Sequence, residues 1–408
     1  PAIADSLNPQ SFCDQPNADR PCGLLPHDVT GFSASRVYTL IERSAQDPFD
    51  LFSWRTFVAL NWPVSSDPFD EGALAGSAAE RPRTWQTYVR PDDLSSPRQR
   101  GACGRPTTDP SWMQLNSWLQ AGGFPLIDRK GNYVLYDVRI NPAMERYIRN
   151  NGLDSRQGQA RFHSLGGRVS FPMGFYDNNE TRMGGEVGSL AIKSAWRILP
   201  ERVSGAAMLV RNAQVSIPSR YHLSGEPECL DLRVGLVGMH IVRRTRSANG
   251  DHWIWSTFEH IENAPESRDA RGPNNVFGGP FFPEGCRGDW PTEENYTFYD
   301  GKCPDCPTNQ PPSGDRSTWR WASTPPYARF IDGTPIPPAQ VTRCWRAAMS
   351  TEDINAGWRE RLAGTGLENY ALSTTQWKGA DLKAVFPAGE VPRFMTNSTM
   401  ETYIQSES

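Results

Sequence analysis

Residues 234–265 carry the side chains of this chain that are best suited to chemistry. His240, His252 and His260, half of the chain's six histidines, fall within this stretch, and Glu259 precedes the last of them. Imidazole and carboxylate groups ligate zinc, copper and iron, and a paired carboxylate lets an imidazole act as a general base. We therefore take His240 and Glu259 as a candidate catalytic pair, and His240 and His260 as candidate metal ligands.

The same stretch predicts a β-hairpin that would position these groups. Asn249-Gly250 separates two alternating segments rich in β-branched and aromatic residues, which is the strongest short-range hairpin signal. Counting outward from a turn there places His240 opposite Glu259 and directs His260 to the other face, because strand side chains alternate. His260 and Trp255 are then candidate cofactor contacts. The alternative, a cross-strand hydrogen bond inside a packed sheet, is the commoner origin of such a pair.

Eight cysteines indicate disulfides and an oxidising compartment, because they are even in number and lie in Pro- and Gly-rich loops. They are Cys13, Cys22, Cys103, Cys229, Cys286, Cys303, Cys306 and Cys344. Cys13 and Cys22 are close enough to close a small loop. The C-x-x-C at Cys303 and Cys306 has the spacing of a redox dithiol or half a zinc ribbon, but its Pro-rich surroundings lack the helix that lowers a thiol pKa. We expect these two cysteines to form structural disulfides with Cys286, Cys344 or others.

Aromatic platforms are the second class of candidate site. The chain has 14 tryptophans, and exposed tryptophans stack on sugars and other flat ligands. Trp319 and Trp321 lie in the Pro-rich region and are our candidate ligand-stacking pair. The alternative is that they fill a core, as most of the tryptophans should.

Composition and charge limit the partners and the compartment. The formal net charge is −4, with 42 Lys and Arg against 46 Asp and Glu, so no basic excess exists to bind a nucleic acid backbone. The longest apolar runs fall far short of the ~18 residues that span a bilayer. The chain also opens at Pro1 without Met, as a processed chain would, so we expect a secreted or periplasmic protein. Asn179, Asn295 and Asn397 are sequons, which would carry glycans in a eukaryotic secretory pathway.

The pattern of elements predicts an α+β fold, with a central antiparallel β-sheet, N-terminal helices and long disulfide-pinned loops. Strand patterns dominate from residue 167 onward, and helices are expected at Ser35–Ser44, from Asp47 to Pro63, at Trp112–Gln120, at Pro142–Asn150 and around Ser350–Leu362. We expect one large domain over 1–408, made of a helix-rich part (1–165), a sheet core with the hairpin (166–262), a Pro- and Cys-rich loop region (263–345) and a C-terminal helical part (346–408).

Six stretches resemble a family of bacterial secreted or periplasmic proteins described as cytochrome-c-like, whose function is poorly defined. They are FDLFSWRTFVALNWP (49–63), PLIDRKGNYVLYDVRIN (125–141), GSLAIKSAWRIL (188–199), VGMHIV (237–242), WSTFEHIENAP (255–265) and MTNSTMETYIQ (395–405). In that family a TMETYIQ-like segment is commonly followed by a C-x-x-C-H haem-attachment motif. Here the sequence after Gln405 is Ser-Glu-Ser, and Cys306 is followed by Pro307 rather than His. The resemblance implies the fold and the compartment, whereas covalent haem is not supported; non-covalent haem or a transition metal stays as the candidate cofactor.

Three functions from different classes follow. The first is a secreted redox-associated protein, an oxidoreductase that binds haem or a metal through His240 or His260. The second is an extracellular binding or structural module without catalysis, which faces a small molecule or an extracellular polymer. The third is a secreted hydrolase that uses His240 and Glu259 as an acid/base pair, although hydrolase signatures such as the nucleophile motif G-x-S-x-G and the zinc motif H-E-x-x-H do not occur in the sequence. We place the first slightly ahead of the second.

Overall fold

The computed structural model describes residues 20–29, 46–75, 81–95, 102–106, 109, 111–120, 122–174, 186–200, 207–245, 253–271, 296–303, 306–377 and 397–403. Several predicted features lie outside those residues: the helix Ser35–Ser44, the turn Asn249-Gly250, His252, the cysteines Cys13 and Cys286, and the sequons at Asn179 and Asn295.

A seven-stranded sheet is organised around one long strand. Its strands are β1 (Trp112–Leu115), β2 (Leu135–Ile140), β3 (Leu190–Ile198), β4 (Val210–Ile217), β5 (Glu228–Arg243), β6 (Ile254–His260) and β11 (Tyr370–Gln376). One edge of β5 pairs with β3, and β2 lies beyond it. The other edge is shared, because β4 and then β1 occupy its first half while β6 and then β11 occupy its second half. Every pair in this sheet is antiparallel except β1 with β4, so the predicted α+β class with a central antiparallel sheet is confirmed.

The predicted loop region at 263–345 contains short strands where it is described. They are β7 (Glu266–Arg271) paired with β10 (Arg343–Trp345), and β8 (Trp319–Trp321) paired with β9 (Ala328–Phe330). Likewise, the predicted C-terminal helical part also supplies β11 to the central sheet. That residues 1–408 form one large domain stays a prediction.

Five α-helices occur in the described residues, and three match a predicted position. They are α1 (Asp47–Leu60), α2 (Asp92–Ser95), α3 (Pro142–Asn150), α4 (Arg156–Ser164) and α5 (Met349–Arg361). The helix predicted at Trp112–Gln120 is wrong, because Trp112–Leu115 forms β1. There Met113 and Leu115 are buried while Trp112 and Gln114 are only partly buried, which is the alternation of a strand.

One face of the sheet, the helix face, packs on α1 and α5 and carries Ile241, Phe258 and Leu372. The sequence of α1 is apolar on nearly every side, as expected for a buried helix. Trp54 of α1 meets the ring of Phe258 edge-on at 5.1 Å and stacks on Trp358 of α5 at 5.9 Å. Aromatic packing between these helices and the sheet therefore forms the main core.

The opposite face, the loop face, carries His240 and Glu259 and is covered by residues 397–403, which we call the C-terminal segment. This segment approaches so closely that a Cβ at Gly238 would lie 2.1 Å from Thr399 Oγ1. Only glycine fits there, so the glycine of VGMHIV serves to seat the C-terminal segment on the sheet.

Asn397 of the C-terminal segment is fully buried. Its side-chain amide donates hydrogen bonds to Thr257 Oγ1 at 2.8 Å and to the Phe258 carbonyl at 3.0 Å. A glycan would replace one of the two amide hydrogens and would need room beside a fully buried side chain, so glycosylation at Asn397 is incompatible with this packing.

Candidate functional site

The structure confirms that β5 and β6 are paired antiparallel neighbours, but it shifts the predicted register by two residues. Glu259 lies opposite Gly238, and His240 lies opposite Thr257. The prediction that His240 and Glu259 face each other directly is therefore wrong. A shift of two residues keeps each side chain on its predicted face, because the strand period is two. Both groups thus lie on the loop face.

Glu259 is a buried carboxylate, only 3% exposed, whose acceptor sites are filled. Arg343 Nε donates to it at 3.0 Å, as does Ser373 Oγ at 3.0 Å, and Ser398 donates through its amide at 3.2 Å and through its hydroxyl. Burial by itself would raise the pKa of Glu259, but the charge of Arg343 and these hydrogen bonds outweigh it and lower the pKa. An ionised, fully bonded carboxylate holds the fold together and is not a base for substrate.

His240 has a different carboxylate partner from the predicted one. Its Nε2 donates to Glu401 Oε1 of the C-terminal segment at 2.6 Å, and the residue is 6% exposed. The other carboxylate oxygen, Glu401 Oε2, accepts from the backbone N–H of Asn397 at 3.2 Å. The predicted His240–Glu259 acid/base pair is thus replaced by a His240–Glu401 contact that fastens the C-terminal segment to the sheet.

His260 lies on the helix face, as predicted, and both of its ring nitrogens are hydrogen-bonded. Nε2 donates to the Ala207 carbonyl at 2.8 Å, and Nδ1 accepts from the Glu262 amide at 3.2 Å. Burial lowers the pKa of His260, which favours this neutral ring. Trp255, an odd-numbered residue of β6, is 43% exposed on the opposite face. The two candidate cofactor contacts, His260 and Trp255, therefore lie on opposite faces of the sheet.

The residues present do not fit a metal or a non-covalent haem at this hairpin. His240 and His260 point to opposite faces of one sheet, so they cannot ligate the same ion. An axial ligand needs an open nitrogen beside room for a porphyrin, whereas His260 has neither nitrogen open and His240 lies beneath the C-terminal segment. Across the described ranges, no group of three or more His, Cys, Asp or Glu side chains is placed to hold a metal ion.

Disulfides are present, as predicted, but one pairing differs from the expectation. Cys103 bonds to Cys229, and Cys303 bonds to Cys306 rather than to Cys286 or Cys344. Cys22 and Cys344 are also disulfide-bonded. The two described bridges differ in what they restrain. By loop-closure entropy, a sequence separation of 126 at Cys103–Cys229 corresponds to about 5 kcal/mol, and a separation of 3 at Cys303–Cys306 to about 2 kcal/mol.

Trp319 and Trp321 are not an exposed platform, so that prediction is wrong. Each is 1% exposed. Trp319 Nε1 donates to the Ser313 carbonyl at 2.9 Å, and Trp321 packs against Tyr133 with ring centroids 4.6 Å apart. The alternating residues of β8 turn both indoles into the core, which is the second of the two interpretations made from the sequence.

A partly exposed tryptophan that the sequence did not single out lies at the edge strand β1. Trp112 is paired with Asn212 of β4, and Asn212 in turn with Arg233 of β5. Arg105 covers one side of the indole, with its guanidinium carbon 3.8 Å from the ring centroid. The indole is partly exposed and also lines a groove.

Arg105 is itself held in position by a neighbouring carboxylate and a disulfide. Its Nη2 donates to Asp231 Oδ2 at 2.6 Å, and Cys103, two residues earlier in the chain, is bonded to Cys229 of β5. Burial raises the pKa of Asp231, but hydrogen bonds from Arg105 and Gln214 outweigh it and lower the pKa. The loop 102–106 is thus pinned to β5 at two points, which makes the platform rigid.

A groove of about 730 Å³ opens beside Trp112. This volume lies within the range of known ligand sites, roughly 300–1,000 Å³. Its walls combine apolar and aromatic side chains with a few polar ones: Trp112, Ile198, Leu199, Pro200, Leu232, Pro325, Pro326 and Tyr327, then Lys130, Asn132, Asn212, Asp231 and Arg233. Such a wall can stack on a flat ring and hydrogen-bond to its substituents.

Two smaller pockets in the described part of the chain are weaker candidates for a binding site. One of about 370 Å³ is lined by Cys103 and Gln214 among others. Another of about 200 Å³ has Glu259 and Arg343 in its wall, and these two side chains already form an ion pair with each other. The groove at Trp112 is therefore the candidate binding site.

Comparisons with known proteins supply no further assignment: no family model, no curated protein and no solved structure matches the chain. The resemblance to cytochrome-c-like proteins therefore stays a prediction. In the part of the chain that the structure describes, no helix has the length and apolar character needed to cross a membrane.

Proposed function

We propose that this protein is an extracytoplasmic binding protein whose groove at Trp112 takes sugar rings of an extracellular polysaccharide. The observation that carries the proposal is a partly exposed indole, braced on one side by Arg105 at 3.8 Å, at the wall of a 730 Å³ groove. Saccharides present flat apolar patches to aromatic rings, so a fixed indole is a suitable platform.

The polar groups around the platform support the same ligand class. Asn212 is exposed on the strand next to Trp112, and its amide offers both donors and an acceptor. Asp231 is held ionised and accepts hydrogen bonds, while Lys130 is exposed at the groove and donates them. Hydroxyl-rich rings need both kinds of partner at once.

Rigidity of the site also supports binding. The Cys103–Cys229 bridge fixes loop 102–106 on β5, so the platform is ordered before the ligand arrives and the ordering cost of binding is low. Bridges of this kind persist in oxidising surroundings, which agrees with a secreted or periplasmic location.

A variant pair tests the proposal. Binding of a panel of neutral, acidic and amino-sugar oligosaccharides is measured by calorimetry for the natural chain, Trp112→Ala and Trp255→Ala. Trp255 is the matched control, because it is also exposed but lies on β6 away from the groove. We expect Trp112→Ala to weaken binding about tenfold or more, equivalent to ~1.4 kcal/mol, and Trp255→Ala to leave it unchanged.

Two results would contradict the proposal. One is the absence of binding by the natural chain to every member of the panel. The other is equal binding by the natural chain and Trp112→Ala.

A further inference from the structure

We infer that the Cys303–Cys306 pair is a thiol–disulfide exchange site for a partner protein that carries a C-x-x-C dithiol. The two sulfurs are bonded to each other across a separation of 3 residues, and both cysteines are partly exposed. This site is independent of the groove at Trp112, so either proposal can fail alone.

Ring size is the first reason. A bridge stabilises a fold mainly by restraining the unfolded chain, and the restraint grows with the size of the ring that it closes. Cys303–Cys306 closes a ring with a separation of 3, against 126 for Cys103–Cys229. Opening the smaller ring therefore removes little of the restraint that the bridges provide.

The second reason is that the backbone beside the pair is anchored by bonds that do not involve sulfur. The Asp300 amide donates to Gln340 Oε1 at 2.9 Å, and Gln340 Nε2 donates back to the Asp300 carbonyl at 3.3 Å. On the other side of the pair, the Asn309 amide donates to the Gln340 carbonyl at 2.7 Å, and Asn309 Oδ1 accepts from the Thr342 amide at 3.0 Å. Reduction would leave these anchors intact, so the loop can open and close again in register.

The exchange balances without any other reactant. A thiolate of the partner attacks one of the two sulfurs, the Cys303–Cys306 bond breaks, and a mixed disulfide forms while the other sulfur leaves as a thiolate. The partner's second thiolate then attacks the mixed disulfide. The partner ends as a disulfide, and Cys303 and Cys306 gain two electrons and two protons to end as thiols.

Differential alkylation under native conditions tests this inference. The natural chain is incubated with a reduced C-x-x-C dithiol protein, and newly exposed thiols are labelled and identified by mass spectrometry. We expect Cys303 and Cys306 to be labelled at least tenfold faster than Cys103 and Cys229, with unchanged circular dichroism. Equal labelling rates, or labelling only after unfolding, would overturn the inference.

A trapping experiment supplies an independent readout. Cys306→Ser leaves Cys303 as a thiol. The partner variant lacks its resolving cysteine, and its remaining cysteine is first activated as a disulfide with a small leaving thiol. Cys303 should then attack that disulfide, release the small thiol and form a mixed disulfide with the partner. The double variant Cys303→Ser/Cys306→Ser should fold with an unfolding midpoint close to that of the natural chain and should trap nothing. Failure of the double variant to fold would show that the bridge is structural and would contradict the inference.

Discussion

Asp50→Asn should stabilise this protein at neutral pH, although it replaces a buried carboxylate that has hydrogen-bond partners. Asp50 lies in the first turn of α1, is fully buried, and accepts from Gln46 Nε2 at 2.8 Å and from Thr351 Oγ1 at 2.6 Å. Burial raises the pKa of Asp50 from 3.8 to about 6, although those hydrogen bonds lower it. Asparagine can keep both bonds, because its oxygen accepts from Gln46 and its amide donates to the Thr351 hydroxyl.

The size of the effect follows from linkage. Because the pKa in the folded state is above that in the unfolded state, the folded state binds this proton more tightly. The associated stability is present below pH 3.8 and is lost as the pH rises through about 6. The shift of about two units corresponds to ~3 kcal/mol of destabilisation once Asp50 is ionised. Asp50→Asn removes that cost, so the variant should gain up to ~3 kcal/mol at pH 8 but only about 0.5 kcal/mol at pH 4.

Urea unfolding of the natural chain and the variant, measured between pH 4 and pH 8, checks this prediction. The difference in the free energy of unfolding should rise with pH and level off above about pH 7. Asp353→Asn, at an exposed position on α5, is the matched control and should change the stability by no more than about 0.5 kcal/mol at any pH. A variant less stable than the natural chain at pH 8, or a difference independent of pH, would refute the reasoning.

Three further predictions concern buried and bound side chains. Glu259→Gln should lower the free energy of unfolding by about 3–5 kcal/mol at pH 7, because Arg343 loses its counter-charge. The loss should shrink as the pH falls below ~4.3, since the lowered folded pKa of Glu259 gives stability only above the unfolded value. A pH-independent loss in urea titrations would count against it. Trp321→Ala should lower the free energy of unfolding by about 3–5 kcal/mol, because it opens a cavity in the core. Trp255→Ala should lower it by under about 1 kcal/mol. Equal melting temperatures for the two variants would contradict the burial assignments. Arg105→Ala should weaken saccharide binding about threefold or more because the indole loses its brace, and unchanged calorimetric affinity would show that the brace is dispensable.

Local patterns predicted the elements and their faces well, and long-range partners poorly. The Asn249-Gly250 signal correctly placed two antiparallel strands, and alternation correctly put His260 on the face away from His240 and Glu259. The register differs by two residues from the one that a two-residue turn at Asn249-Gly250 would give, and the packing of the C-terminal segment over Gly238 was not visible in that local signal. That contact joins residues about 160 positions apart in the chain.

The partner of His240 illustrates the same limit. In the sequence, Glu401 was noted only as part of the TMETYIQ segment that resembles cytochrome-c-like proteins, and nothing in the local spacing connects Glu401 to His240. The platform at Trp112 was missed for a different reason, since its apolar spacing was interpreted as helical. Its near-alternation from Trp112 to Leu115 was the signal that could have identified an edge strand with an exposed indole.

The location of a bound sugar tests the central claim most directly. Crystals of the natural chain soaked with the best-binding oligosaccharide should show a sugar ring against the side of the Trp112 indole that faces away from Arg105. Density for the sugar at another surface, with the groove at Trp112 empty, would contradict the account.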